Sequence, residues 1–87
     1  MVYRVKFSAT GRKAFGKLDN TIKSEIDKFL KRENFLKNPE SFGKPLRYKF
    51  FGLYRYHIGS FRVIANIQKD ILIILIIEIG KRDKIYN

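Results

Sequence analysis

The stretch LYRYHIGSFRVIANIQKDILIILIIEI, residues 53–79, decides the fold. Its first six residues alternate, with Tyr54, Tyr56 and Ile58 on one side and Leu53, Arg55 and His57 on the other. A period of two in aromatic and β-branched residues is the signature of a half-buried strand. Gly59-Ser60 reads as a tight hairpin turn. The next run places Phe61, Val63, Ala65 and Ile67 on one face and Arg62, Ile64, Asn66 and Gln68 on the other. Lys69-Asp70 turns the chain again. The run from Ile71 to Ile79 is apolar on both faces, as suits a central covered strand, and residues 71–77 are expected in the core.

Working outward, residues 2–7 set Tyr3, Val5 and Phe7 against Val2, Arg4 and Lys6 and predict a further strand. Ser8 or Thr10 can cap a short helix that turns Ala14, Phe15 and Leu18 inward, although Gly11 and Gly16 weaken it. A second helix opens at Asn20. It carries Ile22, Ile26, Phe29 and Leu30 at helical spacing and should end near Phe35, ahead of Asn38-Pro39. The short joint at Leu18-Asp19 favours an αα-hairpin. Residues 37–45 read as a loop, and residues 46–50 as a short strand or extended lead-in. The expected fold is therefore α+β, one domain over residues 1–87. Its order is β-α-α-β-β-β, an antiparallel-rich twisted sheet with an N-terminal helical hairpin on one face.

Nineteen Lys and Arg against eight Asp and Glu give a net charge of +11 over 87 residues. Such an excess repels itself in the folded chain and points to a polyanionic partner, most often nucleic acid. Between Lys44 and Lys69 there is no acidic residue. Lys44, Arg47, Lys49, Arg55, Arg62 and Lys69 lie there with His57, interleaved with aromatic side chains. If the Gly59-Ser60 turn pairs its flanking strands, Arg55, His57 and Arg62 can share one face. The chain has no cysteine, so disulfides and thiolate metal sites are excluded. No HExxH, no His/Cys cluster, no carboxylate set at metal-ligand spacing and no glycine-rich phosphate loop is present. No metal or cofactor is expected. Arg4 and Lys6 interrupt any signal peptide, and the apolar run is about half a membrane span. The protein is expected to be cytoplasmic.

RNA cleavage without a metal is chemically open, because the 2′-hydroxyl is an internal nucleophile. Guanidinium forks suit the charged phosphorane. They are poor proton donors, with pKa values above about 12, whereas an imidazole with an ordinary pKa of about 6.5 handles protons well.

GKPLRYKFFGLYRYHIGSFRVIANI, residues 43–67, resembles the core of the RelE/ParE superfamily of toxins from toxin–antitoxin modules. It has the Gly-x-Pro-Leu lead-in, the Leu-Tyr-Arg strand and the hairpin reading Gly59, Ser60, Phe61, Arg62, Val63, Ile64. The closing GKRDKIY, residues 80–86, resembles the family's terminal signature, an Arg four residues before a Tyr. His57 stands where many relatives have Arg or Lys, and Lys81 where many have His. The resemblance implies a RelE-like fold and a ribosome-dependent, metal-independent endoribonuclease that cuts mRNA in the A site and arrests translation and growth. A ParE-like inhibitor of DNA gyrase is the alternative branch, and a non-catalytic RNA-binding or inactivated toxin a further one. Carried onto this sequence, the catalytic set would be Arg55, His57, Arg62, Arg82 and Tyr86, with Lys44, Arg47, Lys49, Lys81 and Lys84 attracting RNA. Arg62 and Arg82 would bind the scissile phosphate, His57 or Arg55 would assist proton removal, and Tyr86 would stack on a base or hold the nucleotide in line. The implied partners are the ribosome, mRNA and a RelB-like antitoxin.

Overall fold

The computed structural model describes residues 1–47 and 52–81. Strand β1 (Arg4–Phe7) leads into helix α1 (Ala9–Gly16) and helix α2 (Asn20–Leu30). Helix α3 (Glu33–Lys37) and a 3-10 turn (Pro39–Phe42) follow. Four strands then complete the order, β2 (Lys44–Pro45), β3 (Leu53–Ile58), β4 (Phe61–Gln68) and β5 (Ile73–Lys81). The five strands form one sheet in the order β1-β5-β4-β3-β2. Among the described residues only the β1–β5 pairing is parallel, so the first and last strands of the described chain lie side by side. The α+β class, the antiparallel-rich sheet and the helices on one face all agree with the sequence reading.

Local chemistry sets the helix boundaries. The Ser8 hydroxyl accepts from the Gly11 amide at 3.0 Å and caps α1. The Asp19 carboxylate accepts from the Ile22 amide at 3.0 Å, which makes Asp19 the cap and Asn20 the first helical residue of α2. Gly11 is required by approach, not by a turn. Any Cβ there would run into the Ile76 carbonyl of β5, so the missing side chain lets α1 lie directly on the sheet.

Two differences from the sequence reading have physical causes. The second helix does not reach Phe35. It stops at Leu30, Arg32 adopts an extended conformation with ψ 131, and α3 restarts. Phe35 lies five residues after Leu30, about 140° around a straight helix, and would face away from the core. The break turns it inward, where it is fully buried. The expected loop at 37–45 instead holds the last residue of α3, the 3-10 turn and β2. Leu46 and Arg47 are not in a strand, and the rest of the 46–50 segment lies outside the described residues.

The strand at 71–79 also starts later. Ile71 is 56% exposed and Leu72 takes φ 55, so the turn occupies Lys69 to Leu72 and β5 begins at Ile73. Within β5 a bulge intervenes. Ala65 pairs with Ile76 but Ile64 with Glu78, which leaves Ile77 as the extra residue. Strict alternation would put Glu78 inward beside Ile74 and Ile76. The bulge shifts the phase by one, so Ile79 takes the core position at 6% exposure.

The core lies between this sheet face and the helices. Ile26 and Leu30 of α2 and Phe35 of α3 meet Tyr56, Ile58, Val63, Ala65, Ile74, Ile76 and Ile79. Ala14, Phe15 and Leu18, on and just after α1, close its border, as expected. No helix among the described residues is long and apolar enough to cross a membrane.

Candidate active site

The site is built where β2, only two residues long, gives out beside β3. Lys44 pairs with Arg55 and Pro45 with Tyr54. Gly43, the residue before β2, lies so close to β3 that a Cβ would stand 2.7 Å from the Tyr56 ring and 2.8 Å from the Arg55 carbonyl. Glycine therefore lets this segment press onto β3 and sets Lys44 opposite Arg55. Beyond that point the edge of β3 is not covered by β2. A cleft of about 300 Å³ opens there, lined by Ser41, Phe42, Gly43, Lys44, Arg55 and His57.

The β3–β4 register brings in the next cation. His57 pairs with Arg62 and Arg55 with Ile64, so Arg62 lies directly opposite His57 and diagonal to Arg55. Directly paired residues share a face, with Cβ atoms about 5 Å apart, and diagonal neighbours about 7–8 Å. Arg55 and Arg62 are half-buried, and the Nε atom of each is shielded from solvent. Lys44 and His57 are exposed. On the far side of β4, Arg62 pairs with Gly80 and Phe61 with Lys81. Lys81 is thus out of phase with Arg62 and belongs to the face of Phe61. Arg47 is exposed beyond β2. Lys49, Arg82, Lys84 and Tyr86 lie outside the described residues.

The walls of the cleft are fixed from below. The Tyr56 hydroxyl, in the core, donates to the Pro39 carbonyl at 2.8 Å. The Tyr54 hydroxyl donates to Glu40 at 2.7 Å, and the Lys69 ammonium lies 3.0 Å from the same carboxylate. Two adjacent residues of the 3-10 turn are therefore tied to β3, and one of them also to the β4–β5 turn. The Tyr54 hydrogen bond, followed by Lys69, holds the Glu40 carboxyl below its usual range. The same bond pushes the Tyr54 phenol up, while burial pushes the Tyr56 phenol far higher.

A second depression adjoins the first at His57. That residue also lines this one, of about 340 Å³, formed with Glu25, Lys28, Phe29, Arg32, Ile58 and Gly59. Lys44, Arg55, His57, Arg32 and Lys28 thereby form one basic track, with Glu25 as the carboxylate in its lining. The sequence reading missed Lys28, Arg32 and Phe42. The first two sit on or just after a helix whose outward charges look ordinary, and Phe42 lies in a segment with no period to read. A polyanion running along such a track would meet cations at successive positions, with an imidazole in the middle.

A family model described as the ParE toxin of the type II toxin–antitoxin system parDE matches residues 5–86. The chain belongs to the RelE/ParE superfamily of type II toxins. Toxin RelG of Mycobacterium tuberculosis (strain ATCC 25618 / H37Rv) is 30% identical to this toxin over 91 residues, 100% of this chain and 99% of its own length. Among solved structures, a chain of the toxin–antitoxin complex RelBE2 from Mycobacterium tuberculosis superposes with a TM-score of 0.85. The two are 26% identical, over 94% of this toxin and 100% of that chain. A chain of the archaeal RelE–RelB complex from Pyrococcus horikoshii OT3 gives a TM-score of 0.73 at 27% identity, over 97% of the toxin and 99% of that chain.

Proposed function

We propose that this toxin is an endoribonuclease that cleaves mRNA on the ribosome without a metal ion, and that a RelB-like antitoxin neutralises it. The observation that carries the reading is the convergence of Lys44, Arg55 and His57 on one cleft, with Arg62 opposite His57. In the proposed reaction the 2′-oxygen attacks the adjacent phosphorus while its proton passes to His57. The phosphorane charge is held by the guanidinium groups of Arg55 and Arg62. The bond from phosphorus to the 5′-oxygen then breaks, that oxygen takes up a proton from water, and the His57 imidazolium returns its proton to solvent. The products are a 2′,3′-cyclic phosphate and a 5′-hydroxyl end. The resemblance of residues 80–86 to the family's terminal signature supports Arg82 as a further phosphate ligand, and Tyr86 supplies a ring for stacking. Lys49 and Lys84 add attraction for RNA, and Lys81, on the Phe61 face, adds only to the overall positive field. The ribosome would supply substrate orientation, an effect worth several kcal/mol in oriented reactions.

The test is cleavage of a programmed ribosome by purified toxin, with the RNA ends identified. The reading predicts A-site cuts bearing a 2′,3′-cyclic phosphate and a 5′-hydroxyl, undiminished by EDTA. No cut at any toxin concentration would overturn it. Solved relatives in complex with RelB support an antitoxin partner. A basic cleft beside a short edge strand suits an acidic segment of such a partner.

The description of the matching family model favours a second reading, a ParE-like gyrase inhibitor. It predicts gyrase–DNA breaks in induced cells with mRNA left whole.

A further inference from the structure

We propose that Phe42 is a nucleobase-stacking platform, holding the base next to the phosphate gripped by Lys44, Arg55 and His57. The inference rests on the RNA-binding reading above and deepens it. Four large hydrophobic side chains are exposed among the described residues, Met1, Val2, Phe42 and Ile71. Three of them sit at the N-terminus or in the β4–β5 turn. Phe42 is the aromatic one, 39% exposed, and it lines the same cleft as the three basic residues.

Its ring is anchored. It meets Phe29 at 6.3 Å and 86° and Phe35 at 6.1 Å and 82°, both edge-to-face, and Phe35 is fully buried. The turn that carries it is tied down at Pro39 and Glu40 through Tyr56 and Tyr54, and the Ser41 hydroxyl donates to the Asn38 carbonyl at 2.9 Å. Little conformational entropy remains to be lost when a ligand settles on it. An apolar ring beside cationic groups is the pairing that one nucleotide satisfies, since its base has a π-face and its phosphate a charge. A segment carrying carboxylates alone would use the cations and leave the ring unmatched.

Stacking is tolerant of base identity, so the ring should read the presence of a base, not its type. Base–aromatic stacking at ~1–3 kcal/mol corresponds to a loss of roughly 5- to 150-fold in affinity for Phe42→Leu. The chain has no tryptophan, so Phe42→Trp places a single indole reporter in the cleft. This variant is titrated with short 2′-O-methyl RNA, which binds without being cut, and with the same strand made abasic. The proposal expects indole quenching by the RNA, loss of that quenching with the abasic strand, and the 5- to 150-fold weakening in folded Phe42→Leu. Equal quenching by both strands, or unchanged affinity in the Leu variant, would overturn it. Base-dependent quenching in a toxin that never cuts mRNA would refute the nuclease and leave the platform standing. Normal cutting with an unchanged KM in Phe42→Leu would do the reverse.

Discussion

At the scale of single residues, the site depends on which side chains the pairing of β3 with β4 sets side by side. Arg55, His57 and Arg62 are adjacent because strands have a period of two and the Gly59-Ser60 turn fixes the register at His57 opposite Arg62. That much was legible, since alternation and turn chemistry are both written locally. Replacing Arg62 by Ala should lower ribosome-dependent cleavage by about 10²–10³, the usual cost of losing one preorganised donor to a charged transition state. Thermal unfolding of that variant should shift little, as Arg62 is a half-buried side chain outside the hydrophobic core, and a collapse of the fold would contradict the assignment. Gly43 should be as intolerant as any core position. Gly43→Ala forces its methyl into the Tyr56 ring and the Arg55 backbone, and should cost about 1–3 kcal/mol in a denaturant titration as well as activity. Phe42 was not legible, because a short turn has no repeat from which exposure can be inferred.

At the scale of elements, the 3-10 turn and its two tyrosines decide whether the cleft has a fixed wall. Tyr56→Phe removes the donor to the Pro39 carbonyl and should destabilise the protein by about 1–3 kcal/mol, the range for a buried acceptor left unpaired. Glu40 adds a pH dependence. Its pKa is lowered in the fold, so its contribution is complete above the ordinary carboxylate range and is lost as pH falls through the folded value. Wild type should therefore exceed Glu40→Gln in stability near neutral pH, and the two unfolding midpoints should converge in acid. A constant gap at all pH values would show that the carboxylate charge is not what the clamp uses. Here the sequence reading was less complete. The helix break at Arg32 and the bulge at Ile77 both arise from tertiary demands, the burial of Phe35 and the exclusion of Glu78 from the core, which local propensity does not record. The bulge matters to the site, because it places Gly80 opposite Arg62 and moves Lys81 to the other phase.

At the scale of the molecule, the parallel pairing of β1 with β5 was hidden, since nothing in residues 2–7 names their neighbour. The +11 charge was plain, but its concentration along a track from Lys44 to Lys28 needed the fold. Replacing Lys28 and Arg32 together by Gln should flatten the dependence of log affinity on log salt for single-stranded RNA by about 1.4, near 0.7 for each phosphate no longer neutralised. An unchanged slope would remove the second depression from the path of the strand. The central claim is that basic side chains from neighbouring strands, together with the carboxyl-terminal Arg82, do the work of a metal on one RNA phosphodiester. It is tested most directly by mapping RNA ends on programmed ribosomes treated, in EDTA, with wild-type toxin or with folded Arg62→Ala/Arg82→Ala. On the proposed chemistry, A-site 5′-hydroxyl ends form with the wild type and are lost with the double variant. Equal cutting by both proteins would contradict it.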